Sequence, residues 1–185
     1  MILRITGYGD PLLRKKSVKI NPGYPDLDKL VSDMYETMYA ANGVGLAAPQ
    51  VGLNIRLIVI DNTEAVEDGT GMKIVLVNPE VIKVGGNEVS IEEGCLSVPT
   101  IRDDVVRNDQ VTVKYCDEKF VEHTKTFTGL NARVVLHEYD HLEGILFVDR
   151  LSYLKKKLLK TKLNNIITGN VDISYPMKFY GKRKK

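Results

Sequence analysis

The strongest constraint that the sequence places on the fold of this chain is a pair of histidines four residues apart, His137 and His141. On an α-helix they lie on one face, one turn apart, where both imidazoles can contact a single metal ion. Glu138 lies about 100° further round the helix axis, close enough to reach a ligand of that ion, as in the H-E-x-x-H pattern. The chain has only three histidines, which favours a metal site over two hydrogen-bonded helix histidines.

A metal that takes part in catalysis usually has three protein ligands and one open position, so His137 and His141 need a third partner. Two familiar protease patterns do not supply it. One requires a histidine at H-E-x-x-H-x-x-G-x-x-H, where this chain has Phe147. The other requires a glutamate well downstream, but the last glutamate here is Glu143, which a helix would direct away from the ion.

Three other strong donors remain, namely Cys95, Cys116 and His123. Cys116 lies in the strand-like run VTVKYCDE, which favours a packing role, and His123 lies in an alternating run that favours a surface position. Cys95 lies in EEGCLSVP, and its thiolate could complete a set of one cysteine and two histidines. Without the histidines, a small buried hydrophobe would be the better interpretation of Cys95.

The apolar spacing predicts helices near both ends of the chain and strands between them. A first helix is expected after Asp26 as N-cap and before Asn42 and Gly43, and a second from near Gly129 to near Gly144. A third is expected at residues 152–167, with five apolar side chains on one face: Leu154, Leu158, Leu159, Leu163 and Ile166. Strands are expected at residues 55–60, 74–77, 81–84, 89–91, 111–115 and 120–127. This order of elements favours the α+β class.

Length and charge limit the further possibilities. A chain of 185 residues is expected to form one domain, 1–185, with 169–185 as a basic C-terminal tail. A net charge of +2 is too small to indicate a nucleic-acid-binding protein by itself. No signal peptide or long apolar run is evident, so we expect a cytoplasmic protein without a membrane segment.

Three motifs together resemble one family. GVGLAAPQ at residues 43–50, EGCLS at 93–97 and HEYDH at 137–141 occur in the order, and at about the spacing, of the peptide deformylase motifs. The chain is therefore identified as a member of that family. The resemblance implies antiparallel strands packed around a central helix that carries HExxH, followed by a C-terminal helix.

The resemblance also implies a reaction. Cys95, His137 and His141 would bind the metal, expected to be Fe(II), with zinc, nickel or cobalt able to occupy the same site. Metal-bound hydroxide would attack the formyl carbonyl of an N-formylmethionyl nascent peptide and release formate. Glu138 would act as general base and then acid. Gln50 and the backbone N–H of Leu96 would stabilise the oxyanion.

Substrate contacts follow from the same resemblance. Val44, Leu130 and Val134 would line an apolar pocket for methionine, although Leu130 and Val134 could equally be plain core residues. The backbone of Val44, Gly45 and Gly94 could pair with the peptide as an added strand. Gly43 and Gly45 would leave the backbone beside Gln50 unobstructed. Arg102 is expected near the peptide or, equally, in solvent.

Partners and rival functions complete the predictions. Residues 151–169 contain five lysines and no acid, which indicates either a solvated face or a weak ribosome contact. No membrane partner is expected, and the protein is expected to be a monomer. One rival function is a zinc endopeptidase, which Phe147 and the absent downstream glutamate disfavour. Another is a non-catalytic metal-binding or ribosome-binding protein, which would not need Glu138.

Overall fold

Three α-helices occupy the stretches for which the sequence predicts them. The structure is a computed structural model that describes residues 1–66 and 69–181. Its helices are α1 (Leu27–Ala40), α2 (Gly129–Leu142) and α3 (Tyr153–Thr168). Residues 182–185, the end of the predicted basic tail, lie outside the described residues. None of the described helices is long and apolar enough to cross a membrane.

Both ends of α1 lie where the sequence predicts them. Asp26 occupies the N-cap position, but its backbone is left-handed (φ 51°) and its side chain makes no capping hydrogen bond. Asp26 is therefore the N-cap residue, as predicted, although its side chain does not cap the helix. At the other end the helix stops where expected, because Asn42 turns the chain with a φ of 55°. The N–H of Gly43 then donates to the carbonyl of Met38 at 2.9 Å.

The strands between α1 and α2 form one five-stranded antiparallel sheet. A separate parallel pair joins the two chain ends. The described strands are β1 (Ile5–Thr6), β2 (Gly45–Ala47), β3 (Leu57–Asp61), β4 (Lys73–Cys95), β5 (Val98–Cys116), β6 (Glu122–Thr128) and β7 (Met177–Lys178). The large sheet has the order β2-β3-β4-β5-β6, and the small one pairs β1 with β7. The predicted α+β class is confirmed.

A long hairpin of β4 and β5 replaces several of the separate strands that the sequence predicts. Residues 74–77, 81–84 and 89–91 all belong to β4, which is 23 residues long. Pro79 and the Gly85-Gly86 pair do not end the strand. They are absorbed as register shifts between Val77 and Glu80 and between Gly85 and Glu88.

The sheet is covered by a helix on each face. Leu57 and Val59 of β3 pack in a core cluster with α1, whereas Ile58 and Ile60 pack in a second cluster with α2. Successive strand residues point to opposite faces, so a strand covered on both sides needs a continuous apolar run. The sequence LIVI satisfies this requirement and brings α2 against the centre of the sheet.

The third helix is only partly buried. Leu159, Leu163 and Ile166 pack against a third core cluster, which also contains Val98 and Phe147. Two of the five side chains predicted on that face, Leu154 and Leu158, are 65% and 73% exposed. The prediction of one apolar face is wrong because these two leucines lie about 80–180° round the helix from the other three.

Candidate functional site

The two histidines of HEYDH lie on one face of α2. The ring centroids of His137 and His141 are 5.2 Å apart, and the ring planes are inclined at 77°. Both rings are buried, with 9% and 1% of their surface exposed. Apolar neighbours such as Val135 and Leu142 fix the helix against the sheet on either side of this face. This is the arrangement that their spacing predicts.

Cys95 reaches the histidines because it is the last residue of β4. Its Sγ lies 3.3 Å from Nε2 of His141. The ligand atoms of Cys95, His137 and His141 all lie within 4.8 Å of one another. A tetrahedral ion with bonds of about 2.0–2.3 Å holds neighbouring donors roughly 3.6 Å apart. One thiolate and two imidazoles at these separations therefore fit a divalent metal ion.

The other two donors considered from the sequence lie elsewhere. Cys116 packs against the first core cluster. His123 is 43% exposed and its Nε2 lies 3.0 Å from a carboxylate oxygen of Asp117. Neither side chain therefore competes with Cys95 as the third ligand.

Glu138 is a buried carboxylate beside the candidate metal ligands. The residue is 4% exposed, and its Oε2 has no hydrogen-bond partner among the described residues. Burial raises the pKa of Glu138 to about 7, because a desolvated carboxyl group favours its neutral form. Such a group can both accept and release a proton near neutral pH.

Gly45 allows that carboxylate to approach the backbone of β2. A Cβ atom at this position would lie 2.6 Å from Oε1 of Glu138, well inside any real contact distance. A side chain at residue 45 would therefore displace Glu138.

Gln50 presents a neutral hydrogen-bond donor to the same place. It lies on a 3-10 turn, Ala48–Val51, directly after β2. Its Oε1 accepts a hydrogen bond from the N–H of Ala47 at 2.8 Å. A carbonyl oxygen can only accept, so this bond turns the amide nitrogen of Gln50 towards the metal ligands. Its Nε2 lies 3.5 Å from Sγ of Cys95.

A cavity of about 660 Å³ opens over these groups. Gln50, Cys95, Leu96, His137 and Glu138 line it, whereas His141 lies beneath its surface. The lining also includes all seven residues that the sequence assigns to the substrate: Gly43, Val44, Gly45, Gly94, Arg102, Leu130 and Val134. Catalytic and substrate-binding candidates from distant parts of the sequence thus meet in one cleft.

The apolar lining residues differ in exposure. Val44 and Leu130 are 38% and 37% exposed, so neither is a buried core residue. Val134 is 6% exposed and belongs to the second core cluster as well as to the cavity wall. Arg102 lies at the rim, where its Nε donates to Oε1 of Glu92 at 2.7 Å.

Behind His137 lies a buried ionic network that the sequence predictions did not include. Oε2 of Glu93 lies 2.8 Å from Nδ1 of His137. Arg107 donates to both oxygens of Glu93, at 2.6 and 2.9 Å, and Arg133 donates to Oε1 at 2.8 Å. A carboxylate on Nδ1 leaves Nε2 of His137 available as a metal ligand. Glu93 could have been found, because residues two apart in a strand face the same side and Glu93 precedes Cys95 by two.

The network shifts the pKa values of Glu93 and His137. Burial alone would raise the pKa of Glu93, but hydrogen bonds from His137 and Arg107 hold it well below its usual value. Burial alone would likewise lower the pKa of His137, but its hydrogen bonds to Cys95 and Glu93 raise it. A negatively charged Glu93 therefore lies directly behind the first histidine.

The C-terminal tail also contributes to the cavity, which the sequence did not indicate. Asp172, Ile173, Ser174 and Tyr175 all line it. The hydroxyl of Tyr175 donates to the carbonyl of Leu96 at 2.8 Å. The sequence carries no motif in this stretch that would connect it to the site.

Comparison with known proteins gives concordant results. The family model described as "Polypeptide deformylase" matches residues 2–157. A peptide deformylase of Flavobacterium johnsoniae is 50% identical over 194 aligned residues, covering 100% of this chain and 99% of its own. One of Cytophaga hutchinsonii is 50% identical over 181 residues, covering 97% and 98%.

Solved structures agree with the sequence relatives. A peptide deformylase from Legionella pneumophila is 44% identical, with a TM-score of 0.80 over 89% of this chain and 95% of its own. Peptide deformylase 1B of Arabidopsis thaliana, in complex with an inhibitor, is 39% identical, with a TM-score of 0.82 over 91% and 92%. The family match, the relatives and the shared fold lead to one conclusion: this chain belongs to the polypeptide deformylase family.

Proposed function

We propose that this protein removes the N-formyl group from the N-terminal methionine of newly synthesised polypeptides and releases formate. The observation that carries the proposal is the convergence of Cys95, His137 and His141 at the base of a cavity, with Glu138 beside them. Membership of the polypeptide deformylase family supports the same reaction.

The metal belongs to this proposal. We expect Fe(II) at Cys95, His137 and His141, with zinc, nickel or cobalt able to substitute. When bound, such an ion supplies Lewis acidity, which polarises a carbonyl group and acidifies a water molecule. The thiolate of Cys95 makes the site sensitive to oxidation, so metal analysis calls for anaerobic purification.

Glu138 would carry the proton. Its unpartnered Oε2 can accept a proton from water and then deliver it to the departing amine, which leaves as a neutral group. A pKa near 7 suits both steps at neutral pH. A positioned acid–base group of this kind contributes roughly 10²–10⁴-fold to the rate.

Gln50 and the turn after β4 would stabilise the developing oxyanion. The hydrogen bond from the Ala47 N–H directs the amide of Gln50 into the cavity. We propose the backbone N–H of Leu96 as the second donor. Removing one such donor typically costs about 2.7–4 kcal/mol of transition-state stabilisation.

The cavity would bind the peptide as an extended strand. β2 is an edge strand, and in the described sheet residues 88–94 of β4 pair only with β5. We therefore propose that backbone groups of Val44, Gly45 and Gly94 pair with the peptide. The carbonyl of Val44 is not among these groups, because it accepts from the N–H of Asp61 at 3.0 Å. Val44, Leu130 and Val134 would receive the methionine side chain, and Arg102 would lie beside later residues.

Partners beyond the peptide are a further part of the proposal. Exposed lysines of α3, among them Lys156, Lys160 and Lys162, would give a weak, salt-sensitive contact with ribosomal RNA. Replacing these three by glutamine should lower co-sedimentation with ribosomes. Unchanged co-sedimentation would remove this contact from the account. We further propose that residues 1–185 act as one domain, as a monomer, in the cytoplasm.

Formate release from formyl-Met-Ala-Ser tests the function. The metal-loaded protein should release formate, whereas Glu138→Ala should lose the activity while keeping its metal. A zinc endopeptidase would instead cleave an internal-peptide substrate in a parallel assay. A metal-binding protein without catalysis would release nothing from either substrate.

A further inference from the structure

The end of β4 and the turn that joins it to β5 carry two groups that the proposed reaction uses, Cys95 and the N–H of Leu96. Cys95 pairs with Val98, so only Leu96 and Ser97 form the turn. Both of their carbonyls are held from outside the hairpin. The Leu96 carbonyl accepts from the hydroxyl of Tyr175, and the Ser97 carbonyl accepts from the N–H of Tyr8, each at 2.8 Å.

These two tyrosines come from opposite ends of the chain, and the ends are joined to each other. β1 and β7 pair in parallel, and the N–H of Ile5 donates to the carbonyl of Pro176 at 2.9 Å. The ammonium group of Lys178 lies 3.0 Å from a carboxylate oxygen of Asp10. β7 is therefore joined to the N-terminal segment by contacts that do not involve the hydroxyl of Tyr175.

The tail segment from Asp172 to Tyr175 lies between α3 and β7 and lines the same cavity as Glu138 and Gln50. Val171, just before it, packs against the third core cluster, which fixes the entry of the segment. The family model ends at residue 157, so the segment lies beyond the part of the chain that it matches. A cavity wall and a turn restraint thus come from one stretch outside the motifs.

We propose that Tyr175 is a positioning residue for deformylation, which holds the turn at Leu96 and Ser97 so that the Leu96 N–H faces the oxyanion. The proposal rests on the proposed function, because it assigns the turn a role in that reaction. The carbonyl of Leu96 belongs to the peptide plane that follows Leu96, one Cα atom away from the plane that carries the Leu96 N–H. Holding this carbonyl and that of Ser97 limits rotation about φ and ψ of Leu96, and so restrains the direction of the Leu96 N–H.

The expected effect of losing the Tyr175 hydroxyl follows from the energy of one hydrogen bond. A typical protein hydrogen bond contributes about 1 kcal/mol, which corresponds to roughly fivefold in an equilibrium. An oxyanion donor acts in the transition state and little in the ground state. Loss of the Tyr175 hydroxyl should therefore lower kcat and leave KM nearly unchanged.

The test replaces Tyr175 by phenylalanine, which removes the donor and keeps the ring. In Tyr175→Phe we expect kcat for formyl-Met-Ala-Ser to fall about fivefold, with KM within about twofold of the parent. Amide hydrogen exchange of residues 95–98, measured on the metal-loaded protein, should be about fivefold faster. Tyr180→Phe is the matched control, because Tyr180 lies on the same tail and is 57% exposed.

The outcomes separate this proposal from the proposed function. Unchanged exchange in Tyr175→Phe would overturn it, and so would faster exchange with an unchanged kcat. The same losses in Tyr180→Phe would also overturn it, since they would indicate a general effect on the tail. If the parent protein released no formate, the proposed function would fail. Exchange alone would then decide whether Tyr175 restrains the turn.

Discussion

Gly45 is the residue at which the backbone comes closest to the candidate acid–base group. Gly45→Ala would place a methyl carbon 2.6 Å from Oε1 of Glu138, so the carboxylate must move. We expect kcat to fall at least about tenfold, because small misplacements of reacting groups are costly. Overpacking should also lower the free energy of unfolding by about 1–3 kcal/mol. Steady-state kinetics and chemical denaturation measure the two effects.

Gly85→Ala is the control for that substitution. It lies far along the hairpin, and its added carbon would meet only the end of the Gln110 side chain, at 3.3 Å. It should leave kcat unchanged. A Gly45→Ala protein with the kinetics of the parent would contradict the close fit between β2 and Glu138.

Glu93 gives a second test at the scale of single residues. Glu93→Gln would leave Arg133 buried without a carboxylate partner, whereas Arg107 would keep Asp140 at 2.6 Å. Breaking a buried ion pair in this way typically costs about 3–5 kcal/mol. The substitution would also weaken the hydrogen bond that orients the ring of His137. Losing such a partner of a metal ligand typically lowers metal affinity about 10–100-fold. Metal dissociation and denaturant unfolding should both detect the change.

The neighbouring residue provides the comparison. Glu92 is exposed and pairs with Arg102 at the rim, an interaction worth about 0–1 kcal/mol. Glu92→Gln should therefore change neither stability nor metal affinity measurably. Equal effects of the two substitutions would refute the special role of Glu93.

The metal ligands could be predicted from the sequence, but their supports could not. His137, Glu138 and His141 lie within one helical turn, so local spacing relates them directly. Cys95 could be predicted as the third ligand because the sequence offers only two other strong donors, Cys116 and His123. The partners of Glu93 are 14 and 40 residues away, and only the folded sheet brings Arg107 and Arg133 to it. No local pattern encodes such a contact.

At the scale of elements, α3 has two large apolar residues that differ sharply in burial. Ile166 is fully buried in the third core cluster, whereas Leu158 is 73% exposed. Ile166→Ala should lower the free energy of unfolding by about 2–5 kcal/mol, from lost burial and an unfilled cavity. Leu158→Ala should change it by less than about 0.5 kcal/mol. Denaturant titration would contradict the described packing if both variants lost equal stability.

The hairpin of β4 and β5 shows where prediction of elements stops. Its apolar stretches were recognisable, and residues 111–115 do lie within β5. Pro79 and the two glycines at 85 and 86 are residue types that typically end strands. Neighbouring strands instead accommodate them as register shifts, which depend on a partner that the local sequence does not specify.

At the scale of the whole molecule, the site lies where the three core clusters meet. Leu96 packs against the first, Val134 belongs to the second, and Cys95 packs against the third. The α+β class followed from the order of predicted elements, because the three helices and the strand-forming region between the first two were correctly located. The pairing of β1 with β7 could not be predicted, because each strand has only two residues and they lie at opposite ends of the sequence.

A metal held by β4 and α2 should stabilise the entire fold. Binding to the native state alone adds about 4 kcal/mol when the free metal is at 1,000 times its dissociation constant. We therefore expect chelation to lower the melting temperature measurably. His137→Ala should show a much smaller response to chelator. A parent protein that melts at the same temperature with and without chelator would contradict a tightly bound metal.

The central claim is that Cys95, His137 and His141 bind one ion together. X-ray absorption spectroscopy of the zinc-loaded protein measures this directly. The account predicts one sulfur neighbour at about 2.3 Å and two imidazole nitrogens at about 2.0–2.1 Å. A metal environment without sulfur, or with two sulfurs, would contradict it.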